Sequence, residues 1–221
     1  MDREDIRDLV IETTGRSDKT TLINSAINVA LGKLSTDFLW EDLLTEGSGT
    51  MTASTGYVSL ASDYKRLSEF RYMDGLQSYQ LDIRPKKWVV KWYPDPSAFS
   101  EDKPVIGYLQ EKKVFFVPYP DDAYNYSYSY YRLHPDLTAD TDEILIRGGE
   151  EAIISYATYW TFKALEKHED ATQWRADYAD LVKGLRRADV SPAVNHIADQ
   201  RGMGTRVPGN FHLMPFVRRT P

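Results

Sequence analysis

The chain has 221 residues, 42% of them hydrophobic and 27% charged, with no cysteine and a formal net charge of -6. This composition excludes global disorder, a disulfide scaffold and a thiolate metal site, and the length allows one or two domains. The charged start MDREDIRDLV, and the lack of any run near the roughly 18 apolar residues of a membrane span, predict a soluble protein made in the cytoplasm with no membrane partner.

Two amphipathic helices are predicted at the start of the chain. Residues 3–14 carry apolar side chains on one face and end near Gly15. Ser17 is the predicted N-cap of a second helix that reaches about Phe38. The apolar stripe of this second helix returns at intervals of three and four residues and consists of Leu22, Ile23, Ala26, Ile27, Ala30, Leu31 and Leu34.

A β domain follows, because the hydrophobic period changes from about 3.6 to about 2 after residue 44. The pattern predicts an inserted antiparallel, β-sandwich-like domain over residues 45–137. Residues 50–53 and 57–60 are predicted to form its first hairpin. Gly47-Ser48-Gly49 is interpreted as a loop before that hairpin.

Two further hairpins are predicted within this domain. Asp74-Gly75 suits a two-residue turn that needs positive φ, and it lies between strand-like residues 67–73 and 76–83. Residues 110–113 separate two short apolar runs and predict the third hairpin.

An aromatic stripe marks the last predicted strand. Its members alternate with other, mostly polar residues and are Tyr124, Tyr126, Tyr128 and Tyr130. We interpret the stripe as a core face of the sandwich whose hydroxyl groups reach the rim. A protein interface and a sugar-stacking platform shared with Trp88 and Trp92 are the alternatives.

Residues 144–187 form the longest tract with helical periodicity and predict two helices. Their apolar positions are Ile153, Ile154, Ala157, Trp160, Ala164 and Leu165 in the first and Ala171, Trp174, Tyr178, Leu181 and Leu185 in the second. Asp170 is the predicted N-cap of the second helix. Helices this short need a partner, so residues 1–44 and 138–190 are predicted to pack as one helical bundle, with Trp40 in its core.

Residues 191–221 lose both periods and are rich in glycine and proline, which predicts an extended C-terminal arm. The arm holds four arginines and one aspartate, whereas residues 1–190 hold 23 basic and 32 acidic residues. Ordering the arm costs ~1–2 kcal/mol per residue, while its few large apolar side chains return only ~1.5–3 kcal/mol each. The arm therefore needs a partner surface, and the acidic remainder is a poor sequence-independent DNA binder.

A search for catalytic chemistry gives negative results. The histidines show no metal-ligand spacing and are His134, His168, His196 and His212. The acids around His168 are interpreted as a solvated helix junction. Glu41 and Asp42 are adjacent and do not face each other, as the two carboxylates of a glycosidase must. No catalytic residue, cofactor or metal is therefore predicted.

Several segments, taken in order, resemble a family of virion proteins. They are LINSAINVALGKLSTDFLWEDL at residues 22–43, YVSLASDY at 57–64, residues 66–74, VFFVPYPD at 114–121, and the strand and turn at 126–137. This order resembles the adaptor proteins that join portal to tail in tailed bacteriophages. The layout is also similar to that of the tubular tail proteins of short-tailed phages.

The resemblance covers about residues 20–187, with Ala61-Ser62 in place of the Leu-Pro found in the family pattern. It implies a structural protein of the virion tail or neck that forms a homo-oligomeric ring, usually of twelve copies, beneath the portal protein. DNA would pass through the ring without specific binding. The helical bundle would form the ring, and the β domain would face outward or toward the next tail component, a nozzle or tail tube protein.

The resemblance also implies that the extended arm runs against the portal. The residues expected to dock there, as apolar anchors and charged partners, are Arg206, Phe211, His212, Leu213, Met214, Phe216, Val217, Arg218 and Arg219. A carbohydrate-binding β module of a phage tail protein is the alternative function. An enzyme is a weaker alternative, which would need a cleft with a carboxylate pair.

Overall fold

The computed structural model describes residues 1–189 of the chain. This part has five α-helices and two four-stranded sheets, which confirms the predicted α+β class. The helices are α1 (Arg3–Thr14), α2 (Thr20–Asp37), α3 (Lys86–Trp92), α4 (Glu150–Ala164) and α5 (His168–Asp189). The strands are β1 (Leu44–Thr50), β2 (Tyr57–Ser59), β3 (Tyr64–Asp74), β4 (Gln77–Gln80), β5 (Asp82–Ile83), β6 (Ile106–Gln110), β7 (Lys113–Val117) and β8 (Asn125–Arg132). None of the described helices combines the length and apolarity needed to cross a membrane.

Helix α1 begins and ends as its sequence predicts. The Asp2 carboxylate accepts a hydrogen bond from the Asp5 amide at 3.0 Å, and Gly15 closes the helix with φ of 67°. The prediction that Ser17 is the N-cap of the second helix, however, is wrong. Residues Ser17–Lys19 form a short 3-10 turn, so Ser17 lies inside the turn, and α2 begins at Thr20 without a side-chain cap.

Helices from both ends of the chain share one buried cluster. Ile27 of α2 and Ile153 of α4 are fully buried in it, and Tyr178 of α5 joins the same cluster. The Tyr178 hydroxyl donates to the Asp37 carboxylate at 2.9 Å, which holds α5 against the end of α2. The apolar stripes of the two termini thus meet as their periodicity predicts.

The start of α5 differs from the prediction. Asp170 lies in the first turn of the helix and is not its N-cap, because α5 begins at His168. The reversal between α4 and α5 is tight, since Glu166 takes a left-handed conformation with φ of 62°. The helix can therefore restart three residues earlier than the capping pattern indicates, at His168 rather than Ala171.

The predicted first hairpin is wrong. Strand β1 pairs with β8, and β2 pairs with β7 in the other sheet, so the chain between them crosses from one sheet to the next. The sheet orders are β1-β8-β3-β4 and β2-β7-β6-β5. Gly47-Ser48-Gly49, expected to be a loop, forms part of β1.

The other two predicted hairpins are present. Strands β3 and β4 pair around Gly75, although the two turn residues are Gly75 and Leu76 rather than Asp74 and Gly75. Strands β6 and β7 pair around the third turn.

Two features of residues 76–83 were not predicted from the sequence. The strand predicted to reach Ile83 is interrupted at Leu81, whose amide bonds to the Phe70 carbonyl at 2.9 Å. The next two residues form β5, which joins the second sheet parallel to β6, so that sheet is not wholly antiparallel.

The β region has a core of its own. Both sheets contribute to this second buried cluster, in which the ring centroids of Phe70 on β3 and Phe116 on β7 are 5.9 Å apart. Its buried members come from residues between Met51 and Tyr130, and none belongs to the helical cluster.

Polar contacts hold the β region and the segment before α4 against the end of α2 and the turn that follows it. The Lys65 ammonium of β3 donates to the carbonyls of Ser35 and Phe38, at the end of α2. The Arg147 amide donates to the Asp42 carboxylate at 2.9 Å. The Asp42 carboxylate therefore holds the backbone at Arg147, and this contact fixes the segment that leads into α4.

His134 is a buried residue in the segment between β8 and α4. It should make the stability of the protein depend on pH. Its Nε2 accepts a hydrogen bond from the Leu145 amide at 2.9 Å, which requires the neutral ring, and burial lowers the pKa of His134. The unfolded chain should then take up the proton first, so stability should fall as pH decreases through about 6.5 and be unaffected above it. Each unit of pKa separation corresponds to about 1.4 kcal/mol.

Urea unfolding at pH 7.5 and 5.5 tests this prediction. The unaltered chain and the exposed-site control His168→Gln should lose similar stability at the lower pH, whereas His134→Gln should lose less. Equal losses in all three proteins would show that His134 does not carry the effect.

Candidate assembly surfaces

The nine residues expected to dock on the portal lie beyond Asp189, outside the described part of the chain. They are Arg206, Phe211, His212, Leu213, Met214, Phe216, Val217, Arg218 and Arg219. Their role stays a prediction, and the geometry below concerns surfaces of residues 1–189.

The tyrosine stripe lies mostly inside the β region. Tyr124, Tyr128 and Tyr130 are at most 6% exposed, and the ring centroids of Tyr128 and Tyr130 are 5.2 Å apart. Their hydroxyl groups reach polar partners at the rim, as interpreted from the sequence. Tyr130 donates to the Asp63 carboxylate at 3.0 Å, and burial together with this carboxylate raises the pKa of Tyr130 to about 12.

The glycines of β1 explain how the rings fit. Gly47 and Gly49 pair with Tyr128 and Tyr126, whose rings lie across the bare backbone of β1. A Cβ atom on Gly47 would lie 2.7 Å from Tyr128 Cε1, and one on Gly49 would lie 2.6 Å from the Tyr126 hydroxyl. This pairing of aromatic rings with strand glycines is a recognised way of covering a backbone that lacks side chains.

Gly47→Ala should therefore lower the free energy of unfolding by about 1–3 kcal/mol. The added methyl group must displace the Tyr128 ring, which is stacked against Phe70 and packed beside Tyr130. Thermal or urea unfolding measures the change. Gly32→Ala in α2 is the matched control, because nothing lies within 4 Å of the new Cβ; it should leave stability unchanged or raise it by up to about 1 kcal/mol. A neutral Gly47→Ala would contradict the packing.

Two tryptophans form a separate, exposed patch on α3. Trp88 is 40% and Trp92 is 60% exposed, their ring centroids are 6.4 Å apart, and Val89 anchors the helix inward. The Arg84 guanidinium lies 5.6 Å from the Trp88 ring centroid, and the Lys91 ammonium lies 5.5 Å from that of Trp92. Helix α3 was not predicted from the sequence, because most of its apolar residues are exposed and it has no apolar stripe facing the core. Because most of the tyrosines are buried, a sugar-binding site in the β region would have to consist of Trp88 and Trp92 alone.

The first of two grooves beside α5 is apolar with an acidic rim. This acidic groove, of about 820 Å³, lies between α4 and α5. Ile154, Leu181 and Leu185 line its apolar surface, and Glu151 and Asp177 stand at its edge. Neither carboxylate has an ion-pair partner among residues 1–189.

The second groove is lined by tyrosines and cations. This basic groove, of about 510 Å³, lies where α2, α4 and α5 meet, and its aromatic wall contains Tyr156, Tyr159 and Tyr178. Lys163 and Arg175 stand at its edge without an ion-pair partner in the described chain. Three further cations also line it: Lys33, which pairs with Asp37; Lys183, which pairs with Asp180; and Arg186, which donates to the Asp37 carbonyl at 2.6 Å.

These surfaces contain no arrangement typical of metal chemistry. Residues 1–189 hold no group of three or more His, Asp or Glu side chains placed to bind a metal ion. The fold instead presents two grooves of opposite charge and an exposed aromatic patch, which are features of a protein that works through contacts with other macromolecules.

A family comparison places the chain among structural proteins of phage virions. The family model described as SU10 adaptor protein matches residues 1–199. The chain therefore belongs to the SU10 adaptor protein family, a family of phage head-to-tail adaptors, which confirms the resemblance drawn from its segments. No curated protein sequence matches the chain.

Sequence reasoning did not find the two grooves. The charges that distinguish them alternate along α5, with Arg175 two residues before Asp177 and Asp180 three residues before Lys183. A helical projection of α5 would have separated an acidic side from a basic side. A projection of α5 alone does not show that α4 and α2 pack beside it, and the grooves form only between α5 and these neighbouring helices.

Proposed function

We propose that the protein is a ring-forming head-to-tail adaptor of a tailed phage, which docks on the portal protein and connects it to the next tail component. The observation that carries this proposal is the match of the SU10 adaptor family to residues 1–199. The ring, of twelve copies by the resemblance, would be assembled in the host cytoplasm and become part of the virion neck.

The proposal assigns one role to each part of the chain. Residues 1–44 and 138–190 are the helical bundle of the ring, residues 45–137 are the inserted β-sandwich-like domain, and residues 191–221 are the arm. Two separate buried clusters support boundaries close to these, since the β cluster runs from Met51 to Tyr130 and the helical cluster includes Leu43 and Leu137.

The arm is assigned to the portal. Its composition supports this assignment, because a basic segment with apolar anchors near its end gains its missing contacts from a partner surface. The family match ends at residue 199, before the proposed docking residues 206–219. Docking of these residues therefore rests on their own composition and on the resemblance to the phage adaptors, whose extended C-terminal segment runs against the portal.

The charge of the remaining chain suits the passage of DNA. Residues 1–190 carry an excess of acidic over basic residues, 32 against 23. Specific or tight DNA binding depends on lysines and arginines that neutralise phosphates. A channel with few such contacts lets the duplex slide, so DNA is proposed to pass without sequence-specific binding.

The α3 patch is the surface proposed for the next tail component. Trp88 and Trp92 supply exposed aromatic area, and Arg84 and Lys91 supply charge beside it. Aromatic residues and arginine are enriched in protein interfaces. The patch belongs to the β region, which by the resemblance faces outward or toward the next tail component.

Deletion of residues 205–221 tests the docking proposal. The shortened protein should unfold at the same urea concentration as the full chain, because none of the described contacts is removed. It should nevertheless fail to sediment with portal-bearing heads. The full-length double variant Phe211→Ala, Phe216→Ala should show the same loss, whereas Thr205→Ala should bind normally. Sedimentation of the shortened protein with the heads would disprove docking through the arm.

A further inference from the structure

The acidic and basic grooves lie on different sides of one helix. On α5, Trp174, Leu181 and Leu185 line the acidic groove, whereas Arg175 and Arg186 line the basic groove. At 3.6 residues per turn the second set points roughly 110° away from the first, so the two grooves open on different sides of α5. Along α5 the two grooves cover nearly the same stretch, residues 174–185 and 175–186, whereas on α4 the acidic groove ends at Ser155 and the basic groove begins at Tyr156.

A ring needs this kind of arrangement. In a head-to-tail ring every copy uses two different surfaces, and the two must be complementary to each other and face in different directions. The acidic groove offers Glu151 and Asp177 at its edge, and the basic groove offers Lys163 and Arg175. Each of these four charges lacks an ion-pair partner within residues 1–189, so each is free to meet a charge on another copy.

Apolar groups complement the charges. Tyr156 and Tyr159 on the basic side are half-buried, and their ring centroids are 5.3 Å apart. Ile154, Leu181 and Leu185 on the acidic side are also only partly covered. Burial of these groups against each other would supply the affinity, while the opposite charges would set the register of the two copies.

We propose that the acidic groove of one copy receives the basic, tyrosine-lined side of the next copy, and that this contact closes the ring. The proposal rests on the ring assigned under the proposed function and names the surfaces that form it. A second copy is favoured over DNA as the occupant of the basic groove because one contact then satisfies both grooves. DNA phosphates would neutralise the basic side only and would be repelled from the acidic one.

Charge reversal tests the contact. The first variant, Lys163→Glu with Arg175→Glu, makes the basic side acidic. The second variant, Glu151→Lys with Asp177→Lys, makes the acidic groove basic. Either variant alone should place like charges across every contact and reduce the number of ring-bound copies by about tenfold or more. Combining all four substitutions in one chain again places opposite charges across each contact, with the signs exchanged, so this fourfold variant should assemble.

The measurement is the mass of the complex formed with purified portal, after circular dichroism has shown that every variant is folded. An equal mixture of the two double variants should also assemble, because each copy then meets a neighbour of opposite charge. Arg66→Glu with Lys87→Glu is the matched control, since it reverses two exposed cations that line neither groove, and it should form normal rings.

The outcomes separate this inference from the proposed function. Rings of normal size from either double variant alone would overturn the contact and leave the adaptor assignment intact. Failure of the fourfold variant and of the mixture would also overturn it, since each groove would then have a different partner, such as DNA, the portal or the arm. If the unaltered chain forms no ring on the portal, both the contact and the proposed ring are wrong.

Discussion

Phe70→Ala should lower the free energy of unfolding by about 3–5 kcal/mol, because it removes a ring from the place where the two sheets meet. Phe70 is 1% exposed, and its ring centroid lies 5.9 Å from that of Phe116 and 5.2 Å from that of Tyr126. The cavity should collapse only partly, since Tyr128 is held by its neighbours and by the hydrogen bond that its hydroxyl accepts from the Ala61 amide at 3.1 Å. Urea unfolding followed by circular dichroism measures the loss.

Phe99→Ala is the matched control for this substitution. Phe99 is 40% exposed, so its truncation should change stability by less than about 1 kcal/mol. Similar losses in the two variants would show that Phe70 does not lie in a closely packed core, and the description of the β region would have to change.

Trp40→Ala should cost a similar amount, about 3–5 kcal/mol, in the other cluster. Trp40 is 2% exposed, its ring meets Phe38 edge to face at 5.0 Å, and its indole N–H donates to the Leu34 carbonyl at 2.8 Å. This contact closes the end of α2 just before the chain enters β1. The substitution should therefore weaken both the helical core and the connection to the β region.

Two further variants separate the contributions of Trp40. Trp40→Phe keeps an aromatic ring but leaves the Leu34 carbonyl without its donor, so it should cost about 1–3 kcal/mol. Trp92→Ala removes the same residue type from an exposed position, 60% accessible, and should be nearly neutral for folding. A large loss in Trp92→Ala, with none in Trp40→Ala, would reverse the assignment of core and surface.

The two large losses also test the proposed domain boundaries. Phe70 and Trp40 belong to different buried clusters, so their effects should add within about 0.5 kcal/mol in the double variant if the clusters are independent. Strong non-additivity would mean that residues 45–137 and the helical parts share one core.

Much of the fold could be predicted from the sequence because its signals are local. The predicted apolar stripe of α2, which includes Ile23, Ile27 and Leu34, is buried as its period of three and four residues indicates, except at the partly buried Leu22. The hairpin at Gly75 was found because only a few residue types accept positive φ in a two-residue turn. Trp40 was placed in the core for its size and its position at the end of a stripe. These features depend on neighbours within a few residues along the chain.

Strand partners and surfaces were decided only by the tertiary structure. An alternating pattern fixes which side chains share a face, but it does not say which strand lies beside it, so the pairing of β1 with β8 could not be read locally. Gly47 looked like a loop residue because its strand role depends on the ring of Tyr128, some eighty residues away in the chain. The two grooves likewise exist only where α4 and α2 pack beside α5. The sequence alone therefore determined the family, four of the five described helices and two of the three predicted hairpins. Long-range packing determined the sheet order and the surfaces through which the adaptor is proposed to assemble.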